Sequence, residues 1–268
     1  MNSLNISTMT AITAMPCDID LKQLYNNIRI TNIIRYIELS KDIKKGVSSK
    51  KAKKPRKDKE KKVFFNQLTF NIYYNKNINI KIFNNGKIQM TGLKKLEWGK
   101  KAVNILIDTI FEHDTYHINK SFINCTVSID EFKKYVESKY SIVLINSNFE
   151  IKSKINRNNL HIKLIENNIF SSYESCNYPG VNIKFFYNNS NKNNDGVCYC
   201  ENICNGKGMG QCDGDCKRVT VAVFYSGSII ITGARNIEQL FHAKRFITNI
   251  INKYKDEVLI SKDEILIS

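Results

Sequence analysis

The stretch FNNGKIQMTG, residues 83–92, returns as FYSGSIIITG at residues 224–233. Both copies read as the end of one strand, a glycine turn, a second strand and a Thr-Gly stop, which is the pattern of a β-hairpin. Aligned without a gap, Phe83, Gly86, Thr91, Gly92, Glu97 and Ala102 meet Phe224, Gly227, Thr232, Gly233, Glu238 and Ala243. INIKIF and VTVAVF supply the alternating or apolar run before each turn, and KIQM and SIII the run after it. LEWGKKAVNILIDTI and IEQLFHAKRFITNII then change to helical spacing, so that Leu96, Ala102, Ile105, Leu106 and Ile110 share one face. A chain that twice follows a hairpin with an amphipathic helix has to build the same kind of core twice.

The upstream halves repeat more faintly. LNISTMT (4–10) followed by DIDLKQLYNNI (18–28) reads as a strand and a short helix, with Asp18 or Asp20 available as N-cap. LINSNFE (144–150) followed by NRNNLHIKLIENNI (156–169) has the same order, and this alignment sets Leu4 level with Leu144. The expected fold is α+β: two pseudo-symmetric repeats of antiparallel strands with helices on one face, leaving the other face free to bind. The first repeat spans residues 1–111 with an insert at 40–62, an inter-repeat linker covers 112–140, the second repeat spans 141–254 with an insert at 188–217, and 255–268 is a tail.

A formal net charge of +16 and a pI near 9.4 point to a polyanionic partner, because Lys and Arg placed on phosphates release condensed counterions. Part of the lysine surplus accompanies abundant Asn and Ile, as A/T-rich codons dictate. The charge is nevertheless concentrated. KKAKKPRKDKEKK, residues 50–62, sets nine Lys/Arg against Asp58 and Glu60 and so contributes +7 of the +16. It lacks hydrophobic periodicity and reads as a disordered loop, either a solvated codon-biased insert or a phosphate-tracking or localisation segment. With no apolar run near the ~18–20 residues of a membrane span and no leader pattern at the N-terminus, an intracellular protein without a membrane partner is expected.

IFSSYESCNYPGVNIKF (169–185) with VTVAVFYSGSIIITGAR (219–235) closely resembles the second repeat of the TATA-box-binding protein family, and FNNGKIQMTGLK resembles its first. The long inserts and composition resemble the homologues of large DNA viruses. The resemblance implies a curved saddle with helices on its convex face, binding the minor groove of A/T-rich promoter DNA without catalysis. Aromatic wedges would enter a base step at each end and kink the duplex. Phe65 and Phe83 would form one wedge pair, Tyr178 and Phe224 the other. Counting by twos from the wedges, the contact face takes in Lys81, Gln89 and Thr91 in the first repeat and Ala222, Ile230 and Thr232 in the second. The opening strands add Ile6 and Thr8, and Asn146 and Asn148; Lys87, Lys94, Lys184 and Arg235 would face phosphates or, equally, form surface ion pairs. Lys81 and Gln89 stand where the family is apolar, which weakens A·T preference under the first repeat.

The resemblance also implies other initiation factors or RNA polymerase as partners, met by the helical outer face and the SYESCNYPG loop. A two-repeat chain already contains its pseudo-dimer, so a monomer is expected, in the host nucleus or a cytoplasmic viral factory, with packaging into the virion left open. A same-fold protein-interaction scaffold that has lost selective DNA binding is the alternative; a nonspecific DNA- or RNA-binding basic protein is a third reading.

Five cysteines crowd into CYCENICNGKGMGQCDGDC: Cys198, Cys200, Cys204, Cys212 and Cys216. No cofactor is required by the DNA-binding reading. Soft thiolates in a Gly-rich loop suit tetrahedral zinc held by four of the five, with free thiols or disulfides as the alternatives. Enzyme signatures are lacking: His113 and His117 have i, i+4 spacing without the H-E-x-x-H pattern, and GKGMG (206–210) lacks P-loop spacing.

Overall fold

The computed structural model describes residues 3–40, 42–48, 66–111, 127–191 and 195–260. The Lys-rich run 50–62, Phe65, His113 and His117 lie outside the described residues. The chain divides into two compact units, one built from Thr8–Val143 and the other from Leu144 onward together with the residues up to Ser7.

The first unit contains β1 (Asn5–Ala14), α1 (Leu21–Asn27), β2 (Ile34–Glu38), β3 (Lys44–Gly46), β4 (Gln67–Tyr74), β5 (Lys76–Phe83), β6 (Lys87–Leu93), α2 (Leu96–Phe111) and α3 (Ile129–Ser138). Its strands are ordered β3-β2-β4-β5-β6-β1 with antiparallel neighbours. The second unit contains β7 (Ser141–Glu150), β8 (Lys154–Ile155), α4 (Arg157–Glu166), β9 (Ser171–Ser172), β10 (Val181–Tyr187), β11 (Lys217–Val223), β12 (Ser228–Ala234), α5 (Ile237–Lys253), α6 (Lys255–Val258) and β13 (Leu259–Ile260). Here the order is β7-β12-β11-β10-β9, again antiparallel, with β13 and β8 forming a separate ladder. The α+β class and the repetition expected from sequence are both present.

Period-two alternation divides each sheet into two faces. Leu68, Phe70, Ile72, Ile78, Ile80, Ile82, Ile88 and Met90 are buried toward α2, whose Ala102, Leu106, Ile107 and Ile110 are buried in turn. Ile183, Phe185, Val219, Val221, Ile229 and Ile231 do the same beneath Leu240, Ala243, Phe246 and Ile247 of α5. Burying each such side chain contributes about 1.5–3 kcal/mol relative to exposure. Asp20 caps α1, its carboxylate accepting from the Lys22 and Gln23 amides, and Asn156 caps α4 in the same way at Asn159.

Three features differ from the sequence expectation. Thr-Gly does not stop either hairpin: β6 and β12 continue through Gly92 and Gly233 to Leu93 and Ala234. The two glycines have φ of 90° and 92° and sit in register shifts against β1 and β7, so each marks a β-bulge. Within the stretch read as a linker, Ser128 and Glu131 close a capping box on α3, which buries Phe132 and Val136; the Thr13 hydroxyl donates to the Val136 carbonyl. The start of the stretch read as a tail forms α6 and β13, and Leu259 pairs with Ile155.

The glycine turns are where the repeat is most constrained. Gly86 and Gly227 have φ of 72° and 83°, and an added Cβ would lie 2.4 Å from the Cys17 carbonyl oxygen or 2.2 Å from that of Ile151. Gly86→Ala and Gly227→Ala should each lower unfolding free energy by more than about 1 kcal/mol, the usual cost of a left-handed residue, because steric displacement adds to it. Urea melts of the two variants against an exposed-site control such as Lys101→Ala check this.

Candidate nucleic-acid interface

Among the described residues, each unit leaves one sheet face without a helix. In the second, β10 contributes Asn182 and Lys184, β11 contributes Thr220 and Ala222, β12 contributes Ile230 and Thr232, and β7 contributes Asn146 and Asn148. Register places Asn148 opposite Ile230, Ile230 opposite Ala222, and Ala222 opposite Asn182. Just past β11, the ring of Phe224 meets that of Tyr178 edge to face, with centroids 5.7 Å apart and planes at 63°. Gly180 makes the pair possible, since a Cβ there would sit 3.0 Å from both rings. Arg157 donates to the Pro179 carbonyl at 2.6 Å and so ties this loop to the start of α4. Tyr178 remains 42% exposed, enough for its ring to meet a ligand.

In the first unit the corresponding face carries Asn79, Lys81 and Phe83 on β5 and Gln89 and Thr91 on β6. Lys81 pairs across the ladder with Gln89, and Phe83 with Gln67. The Lys81 ammonium donates to Gln67 Oε1 at 3.3 Å. Phe83 is half-buried at the strand end, in the same place relative to its turn as Phe224.

The opening strands align differently from the sequence expectation. Ile12 pairs with Gln89 as Asn148 pairs with Ile230, and Gln89 and Ile230 are matched positions of the repeat. The repeat offset here is therefore 148 − 12 = 136 residues, against 224 − 83 = 141 at the hairpins. Thr10 and Ile12, not Ile6 and Thr8, are the counterparts of Asn146 and Asn148, and Thr8 rather than Leu4 comes level with Leu144. Ile6 and Thr8 are both half-buried. Asn148 Oδ1 accepts from Ser7 Oγ at 2.7 Å and from Asn5 Nδ2 at 3.3 Å, while Asn146 Oδ1 is buried with no hydrogen-bond partner among the described residues. The sequence reading missed Thr10, Ile12, Gln67, Asn182 and Thr220; strand alternation reaches each of them once the register is known.

The basic residues separate. Lys87 is exposed at the start of β6, and Lys94 is half-buried just beyond its end. Lys184 lies on the open face, donating to Asn182 Oδ1 at 3.0 Å and Thr220 Oγ1 at 3.2 Å. Burial, then the nearby Arg218 guanidinium, holds its pKa below the usual lysine value. Lys217 is lowered for the same first reason and by Arg235 and Arg218. Arg235 turns to the cysteine-rich insert: Nη1 lies 3.1 Å from Met209 Sδ, and Nε is buried without a partner among the described residues.

In that insert, Cys198, Cys200, Cys204 and Cys216 bring their sulfurs within 4.8 Å of one another, a cluster that could hold a metal ion. The Cys200–Cys216 and Cys198–Cys216 separations are 3.3 and 3.6 Å. Four thiolates about 2.3 Å from one tetrahedral ion would stand about 3.8 Å apart, so the cluster has the right dimensions. Asn188 Nδ2 points at Cys216 Sγ, 3.4 Å away, and donates to the Cys212 carbonyl. Burial raises the Cys200 and Cys216 thiols. At Cys204 burial also opposes ionisation, but the backbone amides of Gly206 and Cys216 and the neighbouring thiols outweigh it and lower its pKa. Cys212 is exposed and outside the cluster. The loop is held by carboxylates: Asp215 accepts from the amides of Met209, Gly210 and Gln211, and Asp213 from those of Glu201 and Asn202.

No described helix is long and apolar enough to cross a membrane. Residues 139–254 match the family model of transcription factor TFIID, or TATA-binding protein. A TATA-box-binding protein-like protein of Acanthamoeba polyphaga mimivirus is 29% identical over 217 residues, which cover 77% of this chain and 53% of that protein. The chain thus spans about half the length of that curated relative. The solved structure of Methanococcus jannaschii TBP aligns with a TM-score of 0.50 over 95% of this chain and 99% of its own, at 14% identity, a likeness of fold. Residues 139–254 thus match the domain model of the TATA-binding protein family, the chain has the fold of a TATA-binding protein, and its sequence resembles a viral homologue.

Proposed function

We propose that the chain is a TATA-binding-protein-like transcription initiation factor that binds the minor groove of promoter DNA, bends it, and recruits other initiation factors or RNA polymerase. The observation that carries this reading is the Tyr178–Phe224 ring pair, placed at the end of a helix-free face whose middle is Ile230, Ala222, Thr220 and Thr232. Exposed aromatic edges can part a base step, and a flat surface of methyl and hydroxyl groups fits the floor of a minor groove that lacks the guanine amino group. Phe83, at the matched place in the first unit, and Phe65, which lies outside the described residues, are the wedge residues of the first repeat. Asn146, Asn148, Thr10, Ile12, Lys81, Gln89, Thr91, Ile230 and Thr232 meet base edges and sugars, with Thr10 and Ile12 taking the place expected of Ile6 and Thr8. Lys87, Lys94 and Lys184 meet phosphates, where Lys184 gains the anion that its crowding with Arg218 calls for. Arg235 serves the same strand end through the insert that it contacts. The helical faces and the Ser172–Gly180 loop meet protein partners.

Zinc is the metal best matched to four thiolates. Bound by Cys198, Cys200, Cys204 and Cys216, it would hold closed an insert too polar to form its own core. Met209 then anchors the insert to the body, its carbonyl accepting from Gln239 Nε2 at 3.0 Å.

Phe83→Ala/Phe224→Ala should bind A/T-rich duplex with end-to-end fluorescence transfer close to that of free DNA, whereas the wild type brings the ends together. Bending equal to wild type would sink the wedge model, and equal affinity for A/T-rich and G/C-rich duplexes at matched salt would favour the scaffold reading. Elemental analysis of purified protein should return about one zinc per chain, retained in Cys212→Ser and lost in Cys200→Ser; a content well below one equivalent in the wild type would remove zinc from the account.

A further inference from the structure

The two open faces differ in chemistry at their matched centres. In the second unit the cross-strand pair is Ala222 and Ile230, a methyl surface, and the neighbouring Asn148 Oδ1 already accepts from Ser7 and Asn5. In the first unit the same ladder position is held by Lys81 and Gln89, with Ile12 beside Gln89 and 40% exposed. Isoleucine and amide have exchanged strands, and a cation replaces a methyl. Lys81 directs its ammonium to Gln67 Oε1, which leaves the Gln89 amide to whatever lies over the sheet.

This difference bears on which base pairs each face tolerates. Both A·T and G·C present acceptors in the minor groove, and only G·C adds the guanine N2 amino donor. A methyl surface closed over that donor leaves it buried and unpaired, which is strongly disfavoured. A glutamine carries both functions: Oε1 accepts from the amino group, and Nε2 donates to the ring nitrogen or carbonyl oxygen that every pair presents. Lys81 adds a second donor suited to acceptors common to all four pairs. Resting on the DNA-binding reading above, we infer that recognition is asymmetric: the half-site under the first repeat admits a G·C pair at the step facing Gln89, and the half-site under the second repeat demands A·T at the step facing Ile230. Gln89 is the residue that sets this specificity.

The test uses the full chain and a duplex selected from random sequence, with each position then changed singly to G·C and affinities measured by competition at fixed salt. In the wild type, G·C within one half should weaken binding by less than about threefold and in the other by about tenfold or more, the usual range for a mismatched pair. Gln89→Ile should raise the penalty in the tolerant half to that of the strict half, and Ile230→Gln should relax the strict half. The two variants acting on opposite halves assigns each half to its repeat without a separate orientation measurement. Gln89→Leu with an unchanged melting temperature guards against a folding defect. Equal G·C penalties in both halves of the wild type, or penalties that Gln89→Ile and Gln89→Leu leave unchanged, overturn the inference while leaving DNA binding intact. Failure to bind any duplex overturns the DNA-binding reading and this inference with it.

Discussion

In each unit the glycine of the hairpin turn clasps the end of the opening strand. Met15 N donates to the Gly86 carbonyl at 2.8 Å, and Ile151 N to the Gly227 carbonyl at 2.9 Å. The approach is so close that any side chain at the glycine would strike carbonyls just past the strand's end, those of Met15 and Cys17 or of Ile151 and Ser153, and the positive φ aims the peptide at its partner. This contact fixes how far the opening strand slides along β6 or β12. A slip of one residue would turn every side chain of that strand over. The burial of Met9 and Ala11 in one unit, and of Ile145 and Phe149 in the other, depends on it. So does the pairing of Ile12 with Gln89 and of Asn148 with Ile230.

Once the register is set, the two faces of each sheet have different tasks. One is apolar enough to be covered by a long helix, and that burial supplies most of the driving force for folding. The other is left with threonines, amides, a few methyl groups and terminal aromatics. Such a face has too little apolar area to bury itself and enough polar groups to remain in water, so it is available to a ligand. The bulges at Gly92 and Gly233 let β6 and β12 continue beyond the point where regular pairing fails, carrying the chain into α2 and α5. Two copies of one design thereby present two surfaces of similar outline and unlike chemistry.

The cysteine-rich insert belongs to this arrangement because it grows from the β10–β11 connection and folds back on α5. Gly210 lies against the Tyr187 ring and Gly196 against Phe185 and Phe246, so the insert rests on the same aromatic side chains that α5 covers. Its contact with Arg235 gathers that guanidinium near Lys217 and Arg218; burial first, and then these two cations, lower the Lys217 pKa. A concentration of cations beside an open sheet face is suited to a polyanion.

The elements themselves were legible in the chain: the hairpins from alternation around a glycine, the long helices from 3.6-residue spacing, and the α1 cap from Asp20. Ser128 and Glu131 also announced α3 by their spacing, a signal hidden by the surrounding polar stretch. Local pattern could not supply the register of the opening strand, because LNISTMT alternates equally well four residues earlier or later; the Gly86 and Gly227 clasps, formed by residues distant in sequence, decided it. Spacing alone likewise could not choose four cysteines among five. That choice came from the folding of the Asp213 and Asp215 loops, which brought Cys216 among Cys198, Cys200 and Cys204 and left Cys212 in solvent. Sequence by itself determined which residues alternate and which side chains can bind, since these follow from local backbone geometry and chemistry. Only the tertiary structure decided which of them stand opposite one another, because that depends on contacts between segments whose separation along the chain carries no local signal.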